Sequence, residues 1–458
     1  MNLSFYGGTE MVSGSNFLLE SAPLPGSRKT TKIMVDCGLF QGGSFVEKHN
    51  LDPLPYNPKE IEAVFVTHAH IDHTGRLPLL YKNGFRGEIF STQATKDFAE
   101  QLLIDSEHLL NKELEEKHLP PLYDLNDING TMRLWKKISY HEKFKVKDFE
   151  IEFYDAGHIL GSAFIAISNN GKTIVFSGDL GNMPAPLVKD TETITKADYV
   201  VVESTYGDRV HEEPAKRKDV LEDLIEDTVK SKGTLVIPAF AMERTQELLY
   251  ELNDLVEHGR IPPLPVFIDS PLAIRLTSIY KKYSQDPNYF DKEALTLLRK
   301  GDAIFDFPRL KLTLTTEQSK EINNVPPPKV IVAGSGMSNG GRILHHELRY
   351  LPDPNSTILF IGYQAKGTLG RQIQDGAKNV RIFGEEVPVR CRAKSISGYS
   401  AHADQPLLLK WLSPMKNSLK KIFLIHGDED QMIPFAQVIE DELAIEAVVP
   451  KKGEKFVL

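Results

Sequence analysis

Three imidazoles and a carboxylate fall within six residues in His68-Ala69-His70-Ile71-Asp72-His73. They directly follow the β-rich apolar run Ala63-Val64-Phe65-Val66-Thr67, so one turn at a strand end can aim all four side chains at a common centre. Imidazole nitrogen and carboxylate oxygen are donors that zinc takes from proteins, whereas a solvated polar loop gives no reason to gather histidine so densely. The spacing is not that of the helical H-E-x-x-H zinc site, so further ligands must come from elsewhere in the chain. His158 lies in Ala156-Gly157-His158-Ile159-Leu160-Gly161-Ser162, where small neighbours would let a metal come close to the backbone. Asp179 ends Phe176-Ser177-Gly178-Asp179, and His426 ends the apolar run Phe423-Leu424-Ile425. Taken singly, each of these reads equally well as a satisfied cap of a strand; beside 68–73 they read as ligands. Cys37 and Cys391 are the only cysteines, too few for a thiolate site or a disulfide framework, so a metal must rely on His and carboxylates.

The elements that must position these groups alternate along the chain. Short apolar runs at 63–67, 173–176, 199–202, 235–237, 266–268, 330–332, 358–360 and 422–425 read as buried strands. Amphipathic stretches stand between them, including 95–117 with Phe98, Leu102, Leu109 and Leu110, and 217–230 with Val220, Leu221 and Leu224. That alternation predicts an α/β protein. Residues 1–60 and 140–180 have a different texture, alternating segments such as Ile151-Glu152-Phe153 that suit antiparallel strands with one face on a core. A length of 458 residues suits two domains. No run is long and apolar enough to cross a bilayer and no secretory leader is evident, so a cytoplasmic protein that does not engage a membrane is expected. The net charge of −9 counts against a module that holds nucleic acid through a basic surface. It leaves room for a nuclease, because bound divalent metal and a local cluster of cations can attract phosphate. Arg244, Arg275, Arg342, Lys366 and Arg371 are the candidates for that cluster.

The order Asp36, His68-x-His70-x-Asp72-His73, His158, Asp179 resembles the metallo-β-lactamase superfamily, and the continuation resembles its β-CASP branch of nucleases. Glu203 in Val202-Glu203-Ser204-Thr205-Tyr206-Gly207, His402 in Gly398-Tyr399-Ser400-Ala401-His402-Ala403-Asp404, and His426 match the three motifs that the branch adds. Asp269-Ser270-Pro271, Gly334-Ser335-Gly336-Met337 and Gly340-Gly341-Arg342 are similar to the compact bacterial and archaeal RNA-processing nucleases related to the cleavage and polyadenylation endonuclease. The resemblance covers nearly the whole chain. It implies an αββα sandwich built from 1–207 and 391–458, with an α/β β-CASP domain of 208–390 inserted between.

It also implies two Zn²⁺ ions, one held by His68, His70 and His158, the other by Asp72, His73 and His426, with Asp179 bridging. A hydroxide shared by ions about 3.5–4 Å apart would attack the phosphorus, so Asp72 counts with the catalytic groups as well as the ligands. The leaving ribose oxygen needs a proton, and His402 is the expected donor, with Glu203 accepting from its other nitrogen. Asp36 is expected to support the ligand loop by accepting a hydrogen bond, away from the metal. Single-stranded RNA is the implied substrate; a homodimer is a candidate assembly that the sequence leaves open. Substrate contacts are expected from Ser335, Gly336 and Met337 in the loop before 342–349, which can turn N–H groups to a phosphate or serve simply as a tight turn, and from Arg342, Lys366 and Ser270. Competing readings are a DNA nuclease of crosslink-repair type, whose members usually carry valine where His426 stands, a small-ester hydrolase, which lacks the inserted region, and a metal-free scaffold, which lacks the ligands.

Overall fold

The computed structural model describes residues 1–23, 30–42, 48–211, 214–300 and 302–458. They form two compact units, one of Met1–Met183, Asp190–Val210 and His402–Leu458, the other of Pro184–Lys189 and His211–Ala401.

Among the described residues, the first unit carries two seven-stranded sheets. One runs, in spatial order, Lys455–Val457, Asn2–Gly7, Asn16–Glu20, Lys32–Val35, Ile61–Phe65, Glu88–Ser91 and Trp135–Lys137. The other runs Ala447–Val448, Lys421–Ile425, Tyr199–Glu203, Lys172–Phe176, Ala163–Asn169, Phe149–Asp155 and Phe144–Val146. The alternation expected in 149–155 is present: Phe149, Ile151 and Phe153 are buried while Glu150 is exposed. With Phe5, Phe17, Val35 and Phe65 from the facing sheet they make one core, in which Phe17 stacks on Phe176 with ring centroids 6.0 Å apart. The outer side of the second sheet, with Phe164, Val175, Val200 and Leu424, is covered by the helices Gln405–Leu412 and Glu429–Leu443. A mixed α/β sandwich is the result.

Its parallel strands matter most for the site. Lys32–Val35 runs parallel to Ile61–Phe65, and Lys172–Phe176, Tyr199–Glu203 and Lys421–Ile425 are successive parallel neighbours. Their carboxyl ends therefore lie side by side, with Glu203 opposite Ile425. Asp36, His68, Asp179, Glu203 and His426 all stand at or just past these ends.

The second unit is built on six strands in the order Leu310–Leu312, Val266–Asp269, Lys329–Ala333, Thr234–Pro238, Thr357–Phe360 and Arg392–Ser395, every pairing parallel. Continuous apolar runs such as Val330-Ile331-Val332 are what a strand covered on both faces requires. The boundaries differ from those expected. Arg392–Ser395 pairs with Thr357–Phe360, which keeps the chain in this unit to Ala401, and Pro184–Lys189 joins it because Asp291 N–H donates to the Leu187 carbonyl at 2.9 Å. The helix expected at 95–117 spans Gln93–Glu116, yet Leu109 is 59 % exposed. Its buried face is Ala94, Thr95, Phe98, Ala99, Leu102 and Leu103, with Leu114 buried again near its end, so packing is interrupted around Leu109.

Removing the ring at the sheet-to-sheet contact should be costly. Phe17→Ala is expected to lower the unfolding free energy of this unit by about 3–5 kcal/mol, seen as a lower urea midpoint at unchanged slope.

Candidate metal centre

The turn after Ile61–Phe65 is held through its backbone carbonyls. Thr74 Oγ1 lies 3.1 and 3.0 Å from the Ala69 and His70 carbonyls, between which its one proton is directed, and Cys37 N–H donates to the His73 carbonyl at 2.8 Å. Gly38 lies so close that a Cβ there would stand 1.6 Å from the Asp72 carbonyl oxygen, which only glycine tolerates. His68 Nε2 comes to 3.1 Å from His70 Nδ1, and His158 Nε2 to 3.3 Å from the same nitrogen. Asp179 Oδ2 is 3.4 Å from His68 Nε2 and 3.6 Å from His158 Nε2. Its other oxygen, Oδ1, is 3.4 Å from His73 Nε2 and 3.6 Å from His426 Nδ1. His426 Nε2 is 3.0 Å from Asp72 Oδ2. Among the described residues three groups of donors result, one of His68, His70, His158 and Asp179, one of Asp72, His73 and His426, and one of Asp179, Glu203, His402 and His426, the donor atoms within each lying within 4.8 Å of one another.

Asp36 accepts from the Thr67 backbone N–H, the Thr67 hydroxyl and His73 Nδ1, all at 2.8 Å. A proton held on Nδ1 by that carboxylate leaves His73 Nε2 to face Asp179. Glu203 is fully buried; its Oε1 accepts from Leu180 N–H at 2.6 Å and its Oε2 from the Thr205 hydroxyl at 2.6 Å. His402 Nδ1 lies 3.1 Å from Glu203 Oε2 and 3.9 Å from Asp179 Oδ2.

These donors suit divalent metal. Burial, then the His68 ring, pushes the His70 imidazole down to about 3, and burial, then His402, holds His158 well below its ordinary value. Burial and His73 lower His68 likewise. All three are neutral near pH 7, with lone pairs to give. Burial also acts against charge on His73, but the Asp179 and Asp36 carboxylates outweigh it and hold its pKa well above the usual range. Burial acts against the Asp179 carboxylate too, and His426, His73 and His68 outweigh it in turn. Asp179 Oδ1 is nevertheless buried without a hydrogen-bond partner. A buried carboxylate oxygen that lies beside ring nitrogens at 3.4 and 3.6 Å without a hydrogen bond is costly unless a cation completes it.

Comparison with known proteins gives the same picture. The metallo-beta-lactamase superfamily domain matches residues 27–199, the Beta-Casp domain 245–373, and a Zn-dependent metallo-hydrolase RNA specificity domain 386–450. Ribonuclease TTHA0252 of Thermus thermophilus is 37 % identical over 96 % of this chain and 96 % of its own. This chain belongs to the metallo-β-lactamase superfamily, in its β-CASP branch. An RNase J-like protein of Methanocaldococcus jannaschii is 32 % identical over 98 % of both chains, and the transcription termination factor FttA of Methanosarcina mazei is 32 % identical over 96 % of this chain and 69 % of its own. A crystal structure of a protein of unknown function from Enterococcus faecalis V583 shares the fold, with a TM-score of 0.53 at 14 % identity over 100 % of this chain and 99 % of that one.

The β-CASP unit treats the residues expected to meet substrate in several ways. The loop 334–341 leaves the carboxyl end of Lys329–Ala333, where open parallel sheets place ligands. Within it Ser335 N–H donates to the Gly340 carbonyl at 3.0 Å and Ser335 Oγ accepts from Asn339 N–H at 3.1 Å, so these groups hold the loop itself. The Met337 carbonyl accepts from Gly370 N–H, and the Gly336 carbonyl from Gln364. Ser270 caps the helix Pro271–Tyr283. Arg342 binds Asp269 at 2.7 Å and Arg371 binds Asp375 at 2.9 Å. Arg244, expected in a cation cluster for phosphate, is instead 5 % exposed and spent on Glu247 and the Tyr399 carbonyl. The small residue at Gly161 serves packing rather than metal approach, since a Cβ there would meet Ala94 Cβ at 2.7 Å. His346 binds Asp269 Oδ2 at 2.8 Å. Composition gave no sign of Thr67, Thr205 and Gly38, because short polar residues acquire a role only from what lies across from them.

Beneath the loop 334–341, burial raises the Glu347 carboxyl to about 8, outweighing the Ser338 hydroxyl that donates to it. The fold thus holds a proton that the unfolded chain releases near 4.5. The associated stability is complete below that pH and is lost as pH rises through 8. Between about pH 5 and about pH 9 the melting temperature of the native protein should fall more than that of Glu347→Gln; equal falls would contradict the assignment.

Proposed function

We propose that this β-CASP protein is a metal-dependent ribonuclease that hydrolyses phosphodiester bonds of single-stranded RNA, in RNA processing or decay. The observation that carries the reading is the His402–Glu203 pair, 3.1 Å apart, which stands with Asp179 and His426 in a donor group that shares one member with each of the other two. The names ribonuclease and RNase J-like, borne by relatives that match along nearly their whole length, support RNA as the substrate.

His68, His70, His158 and Asp179 would hold one zinc, and Asp72, His73 and His426 the other, with Asp179 Oδ1 also 3.4 Å from His73 Nε2 and 3.6 Å from His426 Nδ1. When bound, the ions supply positive charge to the phosphoryl oxygens and acidify water. The protein's own groups do the rest. Burial lowers the basicity of His402, but the Glu203 carboxylate outweighs it and raises its pKa above the ordinary imidazole value. With Nδ1 held on Glu203, the imidazolium gives its other proton to the departing ribose oxygen, a poor leaving group otherwise. The His402 side chain keeps 17 % exposure while Glu203 and Asp179 keep 0 and 2 %, as a group that must meet substrate requires. Ser335, Gly336, Met337, Arg342, Lys366 and Ser270 remain proposed contacts to the RNA strand.

Zinc-reconstituted protein should cut single-stranded RNA, and His402→Ala should slow it by about 10²–10⁴-fold while both ions are retained by elemental analysis. Equal or faster turnover of single-stranded DNA would overturn the RNA assignment, and less than one metal per chain after reconstitution would favour a scaffold.

A further inference from the structure

Thr205 is placed to govern the proton donor without touching substrate. It lies two residues beyond Glu203, where the strand Tyr199–Glu203 has just ended, and it is 2 % exposed. A threonine hydroxyl has one proton to donate. Two acceptors lie in reach, Glu203 Oε2 at 2.6 Å and the His426 carbonyl at 3.1 Å. The shorter contact is also the one to a carboxylate, and charge-assisted hydrogen bonds are the stronger, so the proton goes to Glu203. The hydroxyl oxygen then faces His402 Nδ1 at 3.4 Å and His426 Nδ1 at 3.3 Å.

Glu203 therefore has three fixed neighbours. Leu180 N–H holds Oε1, the Thr205 hydroxyl holds Oε2, and His402 Nδ1 approaches Oε2 at 3.1 Å and Oε1 at 3.3 Å. The backbone donor pins one oxygen but leaves the carboxylate plane able to turn about that contact. The Thr205 hydroxyl fixes the second oxygen, and with it the plane on which His402 sits. We infer that Thr205 is a positioning residue for phosphodiester hydrolysis, its hydroxyl locking Glu203 so that the His402 ring presents its proton to the departing ribose oxygen.

This rests on the proposed role of His402 as proton donor. In that step the attacking oxygen bonds to phosphorus, the bond from phosphorus to the ribose oxygen breaks, and its electron pair stays on that oxygen. The oxygen takes the proton from His402, and the attacking water gives up its own proton to solvent. If sulfur replaces the departing oxygen, a thiolate leaves and no proton is needed.

The test compares zinc-loaded wild type, Thr205→Val, Thr205→Ser and His402→Ala on ordinary RNA and on the same RNA with a bridging phosphorothiolate at the cleaved bond, made in both the 3′ and 5′ forms. Thr205→Val should lower kcat on ordinary RNA at least tenfold with KM within twofold and zinc content unchanged, and Thr205→Ser should recover most of the rate. On the sulfur-bridged RNA whose leaving atom is replaced, Thr205→Val should match wild type. A Thr205→Val enzyme that is as fast as wild type on ordinary RNA, or as slow on the sulfur substrate, overturns the inference. If His402→Ala is rescued by sulfur and Thr205→Val is not, the inference on Thr205 fails alone. If His402→Ala is not rescued either, the donor reading fails and takes this inference with it.

Discussion

The dominant constraint in this molecule is a cluster of buried electron-pair donors that the protein does not neutralise by itself. Asp36, Asp179 and Glu203 are each no more than 2 % exposed, and His68, His73, His158 and His426 are buried with them. Ionised groups of one sign are expensive inside a fold unless each is paired or bound to metal. Asp36 solves its share with three hydrogen bonds at 2.8 Å, and Glu203 solves its share with Leu180, Thr205 and His402. Asp179 does not, for its Oδ1 makes no hydrogen bond and has only the His73 and His426 ring nitrogens at 3.4 and 3.6 Å. The difference separates the carboxylates that position other groups from the one that is available to bridge cations.

Such a cluster needs a scaffold stiff enough to hold it, and the sheets supply that. Parallel strands end on a common edge, so side chains just past their ends converge without long loops. The phenylalanine-rich core between the two sheets fixes their separation, and thereby the distance between Asp36 and the 68–73 turn on one sheet and Asp179, Glu203 and His426 on the other. Close-packed interiors transmit small displacements, so the volume of a ring such as Phe17 bears on a site it never touches.

The second unit uses charge differently. Arg217, Arg244, Glu247 and Glu251 are all at most 8 % exposed, and the two arginines bind the carbonyls of Gly398 and Tyr399 in the turn Ser397–Tyr399. Arg217 is held in turn by Glu251 at 2.8 Å and Arg244 by Glu247. Buried ion pairs of this kind add little net stability over an apolar core, but they fix the geometry of the backbone they bind. Arginine read from sequence as a phosphate ligand is here a brace for main chain.

The sequence by itself determined the α/β class and the strand-end position of His68-x-His70-x-Asp72-His73, and beside that cluster it marked His158, Asp179 and His426 as candidates to join it. Those features are legible because they are local, since period-2 alternation, apolar runs and ligand types need no knowledge of distant neighbours. Where an arginine, serine or small residue is spent is a different matter. Arg244 turned inward, Ser335 and Ser270 bound their own loop and helix, Gly161 made room for Ala94, and Thr205 came to lie against Glu203 and His402. The tertiary structure alone decided these, because a short polar side chain or a cation takes its role from whichever partner packing brings within about 3 Å, and that partner is usually far away in the chain. The same holds for the unit boundaries, which follow the pairing of Arg392–Ser395 with Thr357–Phe360 and not any change in composition.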